Sequence, residues 1–194
     1  KYQLNYLIEE LNFTSNKLEI LNNGGLTGVD LIKFDINNEY KKSIRSFLNI
    51  PSDHIVFIFV GRLNKDKGII DLLKSYKNFS NKNEKLNFNL IIIGEDEENI
   101  YSKYIKNHPY FHSIKYIKFS NEINKFLCAS DIFCLPSYRE GFGNAVLEAS
   151  STSLPVIATS IYGLEDVLID NFSGIKIVPG DINNLTDKMQ LLYD

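Results

Sequence analysis

Six short runs of β-branched and aromatic residues, interleaved with segments of helical spacing, constrain this chain more than any other feature. The first is Ile55-Val-Phe-Ile-Phe-Val60, an unbroken apolar run. A strand with one wet face alternates, whereas a strand buried on both faces does not, so this one belongs inside a covered sheet. Leu90–Ile93, Ile114–Phe119, Ile132–Leu135, Val156–Ala158 and Ile175–Val178 read as further strands. Helical spacing occupies 69–79, 99–106, 123–128, 144–151 and 182–193. A further helix is expected at 39–48, with Tyr40, Ile44, Phe47 and Leu48 on one side. Strands and helices alternating at this interval predict right-handed βαβ units. The fold class is therefore α/β, a parallel sheet of about six strands with helices on both faces. The first 36 residues read as irregular, with Leu18-Glu-Ile-Leu21 strand-like and Asn22-Asn-Gly-Gly25 of turn chemistry.

Length and charge narrow the function classes. A chain of 194 residues fits one sizeable domain burying roughly 70% of the surface its unfolded form exposes. A net charge of −3 and the lack of a basic tract give no footing for nucleic acid or a membrane face. No apolar run reaches the ~18 residues of a membrane-spanning helix, and no signal peptide is visible. Cys128 and Cys134 sit in apolar context and read as buried thiols. His54, His108 and His112 are scattered, and Glu95-Asp96-Glu97-Glu98 reads as a solvated charge run, so no metal site is expected. The chain begins at Lys1, its only methionine is Met189, and it stops inside a helical pattern, so it reads as a fragment of a longer protein.

Two loops carry the chemistry. The first strand runs into Gly61-Arg62-Leu63-Asn64-Lys65-Asp66-Lys67-Gly68, and a helix follows. Gly61 allows a close turn, while Arg62 and Lys67 place two cations beside a helix N-terminus, as a diphosphate requires. The plainer reading of this segment is a solvated loop with two surface cations. The second loop is Pro136-Ser-Tyr-Arg-Glu-Gly-Phe-Gly143, opening a helix that begins near Asn144. Gly141 and Gly143 bracket Phe142 and let backbone N–H groups approach a ligand, and Asn144 is a good N-cap. Glu140 lies in the loop and Glu148 inside the helix, with seven residues between them. An ionised carboxylate only accepts, so both suit sugar hydroxyls, Glu148 a vicinal diol such as ribose. The plainer alternative has Glu140 favouring the helix dipole and Glu148 pairing at the surface with Arg139 or a lysine.

These segments resemble the C-terminal, donor-binding domain of the retaining GT-B glycosyltransferases of family 4. The resemblance rests on Gly61-Arg62-Leu63…Lys67-Gly68 and Glu140-Gly141-Phe142-Gly143…Glu148-Ala149, the family's two-glutamate motif. Leu154-Pro155-Val156-Ile157-Ala158-Thr159 and Gly174…Pro179-Gly180-Asp181 extend it, so that it runs from about Asn23 to the end. Gly28-Val29-Asp30…Phe34 is similar to the segment by which such enzymes enter this domain. The loop from Pro136 to Gly143 resembles the subgroup building capsular, lipopolysaccharide or lipid-linked oligosaccharide chains. One departure stands out: many relatives have a double glycine where this chain has Tyr162-Gly163.

The resemblance implies a Rossmann-like half of a GT-B fold, with 1–36 a linker remnant and 37–194 the donor domain. It implies transfer of a hexose or N-acetylhexosamine from a UDP-sugar, with retention, front-face attack and no metal or other cofactor. Arg62 and Lys67 would meet the diphosphate, Glu148 the ribose and Glu140 the donor sugar. The amides from Gly141 to Asn144 would support sugar and phosphate, and Ser120 and Asn121 would flank the base. The glycan or lipid-linked acceptor would be bound by a missing N-terminal domain, so this chain alone is expected to bind nucleotide without transferring sugar. A cytoplasmic protein is implied, any association with the membrane's inner face being left to the full-length protein. The alternatives are a non-catalytic sugar-nucleotide-binding module or a GT-B sugar-nucleotide epimerase.

Overall fold

The computed structural model describes residues 2–19, 28–83, 85 and 87–194. Six strands form one sheet: β1 (Ile55–Val60), β2 (Phe88–Ile93), β3 (Ile114–Ile117), β4 (Ile132–Leu135), β5 (Val156–Thr159) and β6 (Ile175–Ile177). All pairings are parallel, in the order β3-β2-β1-β4-β5-β6. Among the described residues the α-helices are α1 (Tyr2–Glu9), α2 (Asn38–Phe47), α3 (Ile69–Lys82), α4 (Ile123–Cys128), α5 (Asn144–Ser151) and α6 (Ile182–Tyr193). Every residue of β2, β4 and β5 is buried, the polar Asn89 and Thr159 included, while the edge strands β3 and β6 are partly open. This is the Rossmann-like α/β sheet that the alternation of runs predicts.

The core is aromatic on the α3 side. Phe79 meets Phe57 edge-on at 5.2 Å and Phe88 at 4.7 Å between ring centroids, an arrangement favoured by the ring quadrupoles. Tyr193 of α6 closes the cluster against Phe79, so α3 and α6 pack together. On α2, Asn37 caps the helix through its side chain, accepting from the N–H groups of Glu39 and Tyr40. The helix buries Arg45 rather than Phe47, which is 72% exposed, against the expected apolar side. The reason is tertiary: Arg45 reaches Asp131 at 2.6 Å, just before β4, and tertiary pairing overrides the local pattern.

Other expectations are also corrected. The first 36 residues are not wholly irregular, since α1 and a 3-10 turn at Ser15–Lys17 lie there. Leu18 and Glu19 are not in a strand, and Leu21 and the Asn22–Gly25 turn lie outside the described residues. The helix expected at 99–106 is a π-helical turn, Tyr101–Ile105. The acidic run is not simply solvated. Asp96 accepts from the N–H groups of Ile100 and Tyr101 at 2.7 and 2.9 Å, and Glu97 is tied to the loop after β1. Local spacing carries no record of such bonds.

Of the scattered histidines, His108 yields a pH prediction. Its Nδ1 accepts from the Tyr110 N–H at 3.1 Å and its Nε2 donates to the Leu73 carbonyl at 3.0 Å, which defines a neutral ring. Burial holds its pKa below the ordinary 6.5. As pH falls, the unfolded chain therefore takes up this proton first. His108's contribution is whole above 6.5 and is lost as pH falls from there through the folded-state value. Denaturant titrations at about pH 7.5 and about pH 5.5 should show this slope, and His108→Asn should flatten it.

The topology also marks a place on the surface. The chain leaves β1 outward to β2 and β3, then returns to β4 on the other side of β1. At such a reversal the loops leaving the two central strands diverge and open a crevice at their carboxyl ends, where α/β sheets bind ligands.

Candidate functional site

The loops at that crevice are 61–68 and 136–143, the two singled out from the sequence. They are stitched together: the N–H groups of Tyr138 and Arg139 both donate to the Asp66 carbonyl, at 2.7 and 3.3 Å. Within the first loop, the Asn64 side chain accepts from the Lys67 N–H at 3.1 Å and folds the segment into a 3-10 turn. The same amide donates to Glu97 at 2.6 Å, and Glu97 also pairs with Arg62 at 2.9 Å. Asn64's amide and then Arg62's guanidinium hold the Glu97 carboxyl below its usual range. Arg62 is thus tethered, though its side chain stays largely open to solvent.

Lys67 and Glu140 meet across the crevice. Lys67 Nζ lies 2.8 Å from Glu140 Oε1, with both side chains mostly buried. The Ser137 hydroxyl donates to that same oxygen at 2.8 Å. Glu140 is therefore held by its own loop and by the loop after β1.

Helix α5 starts one residue earlier in its capping than expected. Gly143 is the N-cap, in the left-handed conformation with φ 64°, and Asn144 is the first helical residue. Only a glycine takes that backbone cheaply, so the cap falls to Gly143 and not to an asparagine side chain. Gly141 is exposed and has open space where a Cβ would stand. Glu148, on the second turn of α5, is half-buried, and its carboxylate makes no hydrogen bond or ion pair among the described residues. The surface pair with Arg139 or a lysine does not form, because Arg139 turns to Asp66 at 3.7 Å. Burial pushes the Glu148 carboxyl up, and the ammonium of Lys33 opposes that.

Lys33 was not foreseen. It comes from the segment before α2, which α4 holds down: Asn124 donates to the Lys33 carbonyl at 3.0 Å. Asp30 turns that segment by accepting from the Lys33 N–H at 3.1 Å, and this Asp-x-x-Lys spacing was the available signal. Ser120 and Asn121 lie after β3, with β2 between that strand and β1. Ser120 Oγ accepts from the Glu122 N–H at 3.0 Å, ahead of α4. No hydrogen bond or ion pair joins these two to Glu140 or Lys67 among the described residues.

The Tyr162-Gly163 departure has a structural account. A Cβ at Gly163 would stand 2.0 Å from the Glu140 carbonyl oxygen, whereas Tyr162 is 36% exposed. Gly163, in the loop after β5, thus backs the Glu140 loop at backbone distance, and a Cβ at Gly143 would stand 2.4 Å from Leu164 of the same loop. Gly163→Ala should therefore lower stability by about 1–3 kcal/mol through overpacking. Thermal unfolding of this variant beside the parent measures the loss.

The chain was compared with known proteins. The family model described as glycosyl transferases group 1 matches residues 40–194. The chain is 32% identical over 189 residues to the capsular polysaccharide biosynthesis glycosyltransferase CapM of Staphylococcus aureus, covering 92% of this chain and 47% of that protein. It is 30% identical over 192 residues to the UDP-Gal:alpha-D-GlcNAc-diphosphoundecaprenol alpha-1,3-galactosyltransferase of Escherichia coli, covering 96% and 48%. The chain spans about half the length of the curated relatives it matches. Among solved structures, Anabaena HepE in complex with UDP-glucose superposes with a TM-score of 0.75 at 20% identity, over 84% of this chain and 45% of that one. No helix among the described residues is long and apolar enough to cross a membrane. With most of its length matched by the family model, and with the two-glutamate loop and the cationic loop joined at the sheet's reversal, the chain belongs to the glycosyl transferases group 1 family.

Proposed function

We propose that this chain is the nucleotide-sugar-binding half of a retaining glycosyltransferase. The donor is a UDP-linked hexose or N-acetylhexosamine, and the acceptor a growing surface or lipid-linked glycan held by a second domain. The observation that carries this reading is the meeting of Lys67 and Glu140 at the reversal point of the sheet, beside the start of α5. Cations and a helix N-terminus suit a diphosphate, and carboxylates suit hydroxyl groups. In this reading Arg62 and Lys67 neutralise the diphosphate and stabilise it as it leaves, without a metal. Glu148 takes the ribose hydroxyls and Glu140 the donor sugar. Gly61 and the amides of Gly141, Phe142, Gly143 and Asn144 line the sugar and phosphate, with Ser120 and Asn121 towards the base. A relative whose name specifies a UDP-sugar donor and a lipid diphosphate acceptor supports the choice of both.

Thermal unfolding with UDP, GDP, ADP and their sugars tests the reading. A ligand at about 100 times its dissociation constant adds about 2.7 kcal/mol. For a domain of this size that raises the midpoint by roughly 5–10 °C. A shift confined to UDP and UDP-sugars is expected. A shift with GDP or ADP instead would overturn the base, and none at all would overturn the nucleotide site.

A further inference from the structure

Ser137, two residues past the carboxyl end of β4, is fully buried beneath the crevice. Its own carbonyl accepts from the Thr159 hydroxyl at 2.5 Å, and Thr159, at the end of the neighbouring β5, is fully buried too. The serine is therefore clamped between the ends of two central strands. Its hydroxyl donates to Glu140 Oε1 at 2.8 Å, the oxygen that also takes Lys67 Nζ at 2.8 Å. Glu140 Oε2 receives no hydrogen bond among the described residues. One oxygen is thus occupied twice, and the other keeps its lone pairs for a ligand.

The two anchors differ physically. Lys67 ends a flexible four-carbon stem, and its ammonium is a compact charge that follows the strongest anion within reach. Ser137 has one short torsion and no room to move. A carboxylate's terminal torsion is broad, so without a fixed donor the Glu140 head group has no single orientation. A diphosphate in the crevice competes for Lys67 but not for Ser137. We infer that Ser137 is a positioning residue for Glu140, holding Oε1 so that Oε2 meets a hydroxyl of the donor sugar once Lys67 has turned to the diphosphate. The inference rests on the donor-site reading proposed above. It adds that the sugar-facing carboxylate is oriented from beneath by the ends of β4 and β5.

Calorimetric titration of this chain tests it, with UDP and with the tightest binder among UDP-glucose, UDP-galactose, UDP-N-acetylglucosamine and UDP-N-acetylgalactosamine. Ser137→Ala should weaken the UDP-sugar about tenfold, as loss of a bond to a charged group does, and leave UDP within about twofold. In a Glu140→Ala background the effect of Ser137→Ala should shrink below about twofold, because a residue acting only through Glu140 has nothing left to orient. Equal weakening of UDP and UDP-sugar, or a loss that persists without Glu140, would mark a structural role and overturn the inference. If Ser137→Ala fails to melt cooperatively, Ser137→Cys, a weak donor of similar size, replaces it. The Cys variant should show a smaller loss with the same selectivity and the same dependence on Glu140. Unchanged UDP-sugar affinity in Glu140→Ala would sink the donor-site reading itself. A loss there with Ser137→Ala silent would sink only the role of Ser137. Binding of none of the four UDP-sugars to the unaltered chain would bring down both.

Discussion

Asp131→Ala is expected to destabilise the fold by about 3–5 kcal/mol, the range for breaking a buried ion pair from one side. At this chain length that lowers the unfolding midpoint by roughly 6–20 °C. Asp131 accepts from Arg45 at 2.6 Å, from Lys41 at 2.8 Å and from the Val56 N–H at 2.8 Å. It therefore fastens α2 to the start of β1 and to the entry of β4. The Arg45 side chain is 6% exposed. Three more of its N–H groups donate to the carbonyls of Ala129, Ser52 and His54 at 2.9, 3.0 and 2.8 Å. Those bonds hold the guanidinium in place after the carboxylate is gone, so its charge stays buried without a counter-charge. The Val56 N–H also loses its acceptor, a further penalty for a buried donor. Asp131→Asn should fall in between, since the amide can still accept from Val56. Circular dichroism melts of the three proteins measure this. A midpoint within about 2 °C of the parent for Asp131→Ala would show that the cluster carries no net stability.

Glu148→Gln is expected to move binding and stability in opposite directions. Glu148 is half-buried and its carboxylate has no hydrogen-bond partner among the described residues, so its charge is poorly solvated in the folded chain. Burial raises its pKa above 4.5, with Lys33 opposing. The folded state therefore holds this proton to higher pH than the unfolded one does. The associated stability is full below 4.5 and is lost as pH rises through the folded-state value. Glutamine has no charge to desolvate, so the variant's melting midpoint should exceed the parent's near neutral pH and converge with it in acid. If Glu148 receives ribose hydroxyls, the same change weakens UDP by roughly 10–100-fold, the loss expected for bonds to a charged acceptor. A residue kept against stability in this way is a common mark of a binding site. Equal UDP affinity in parent and variant would remove Glu148 from the site, and a lower midpoint at neutral pH would mean that the carboxylate is better solvated than its burial implies.

Much of this arrangement was legible in the chain. Helices Ile123–Cys128, Asn144–Ser151 and Ile182–Tyr193 and strands Ile55–Val60 and Ile132–Leu135 fall where periodicity puts them. Their boundaries are set by neighbours in sequence, which is the range over which hydrophobic period and capping act. The same holds for the candidate loops: each follows a strand and opens a helix, as the glycines and cations around them indicate. The misreadings have the opposite origin. Phe47 is exposed and Arg45 buried because Asp131 lies across the fold, and Asp96 and Glu97 are engaged because the backbone folds back onto them.

The alternation of strands and helices, the parallel sheet and the two charged loops thus follow from local order along the chain. That β1 and β4 are neighbours, that Lys67 meets Glu140 between them, that Ser137 holds the same oxygen, and that Gly163 has no room for a side chain emerge only in the folded molecule. Apart from the local bond of Ser137 to Glu140, those pairings join residues far apart in the chain, and their geometry follows from strand order and close backbone approach, neither of which leaves a trace in local periodicity.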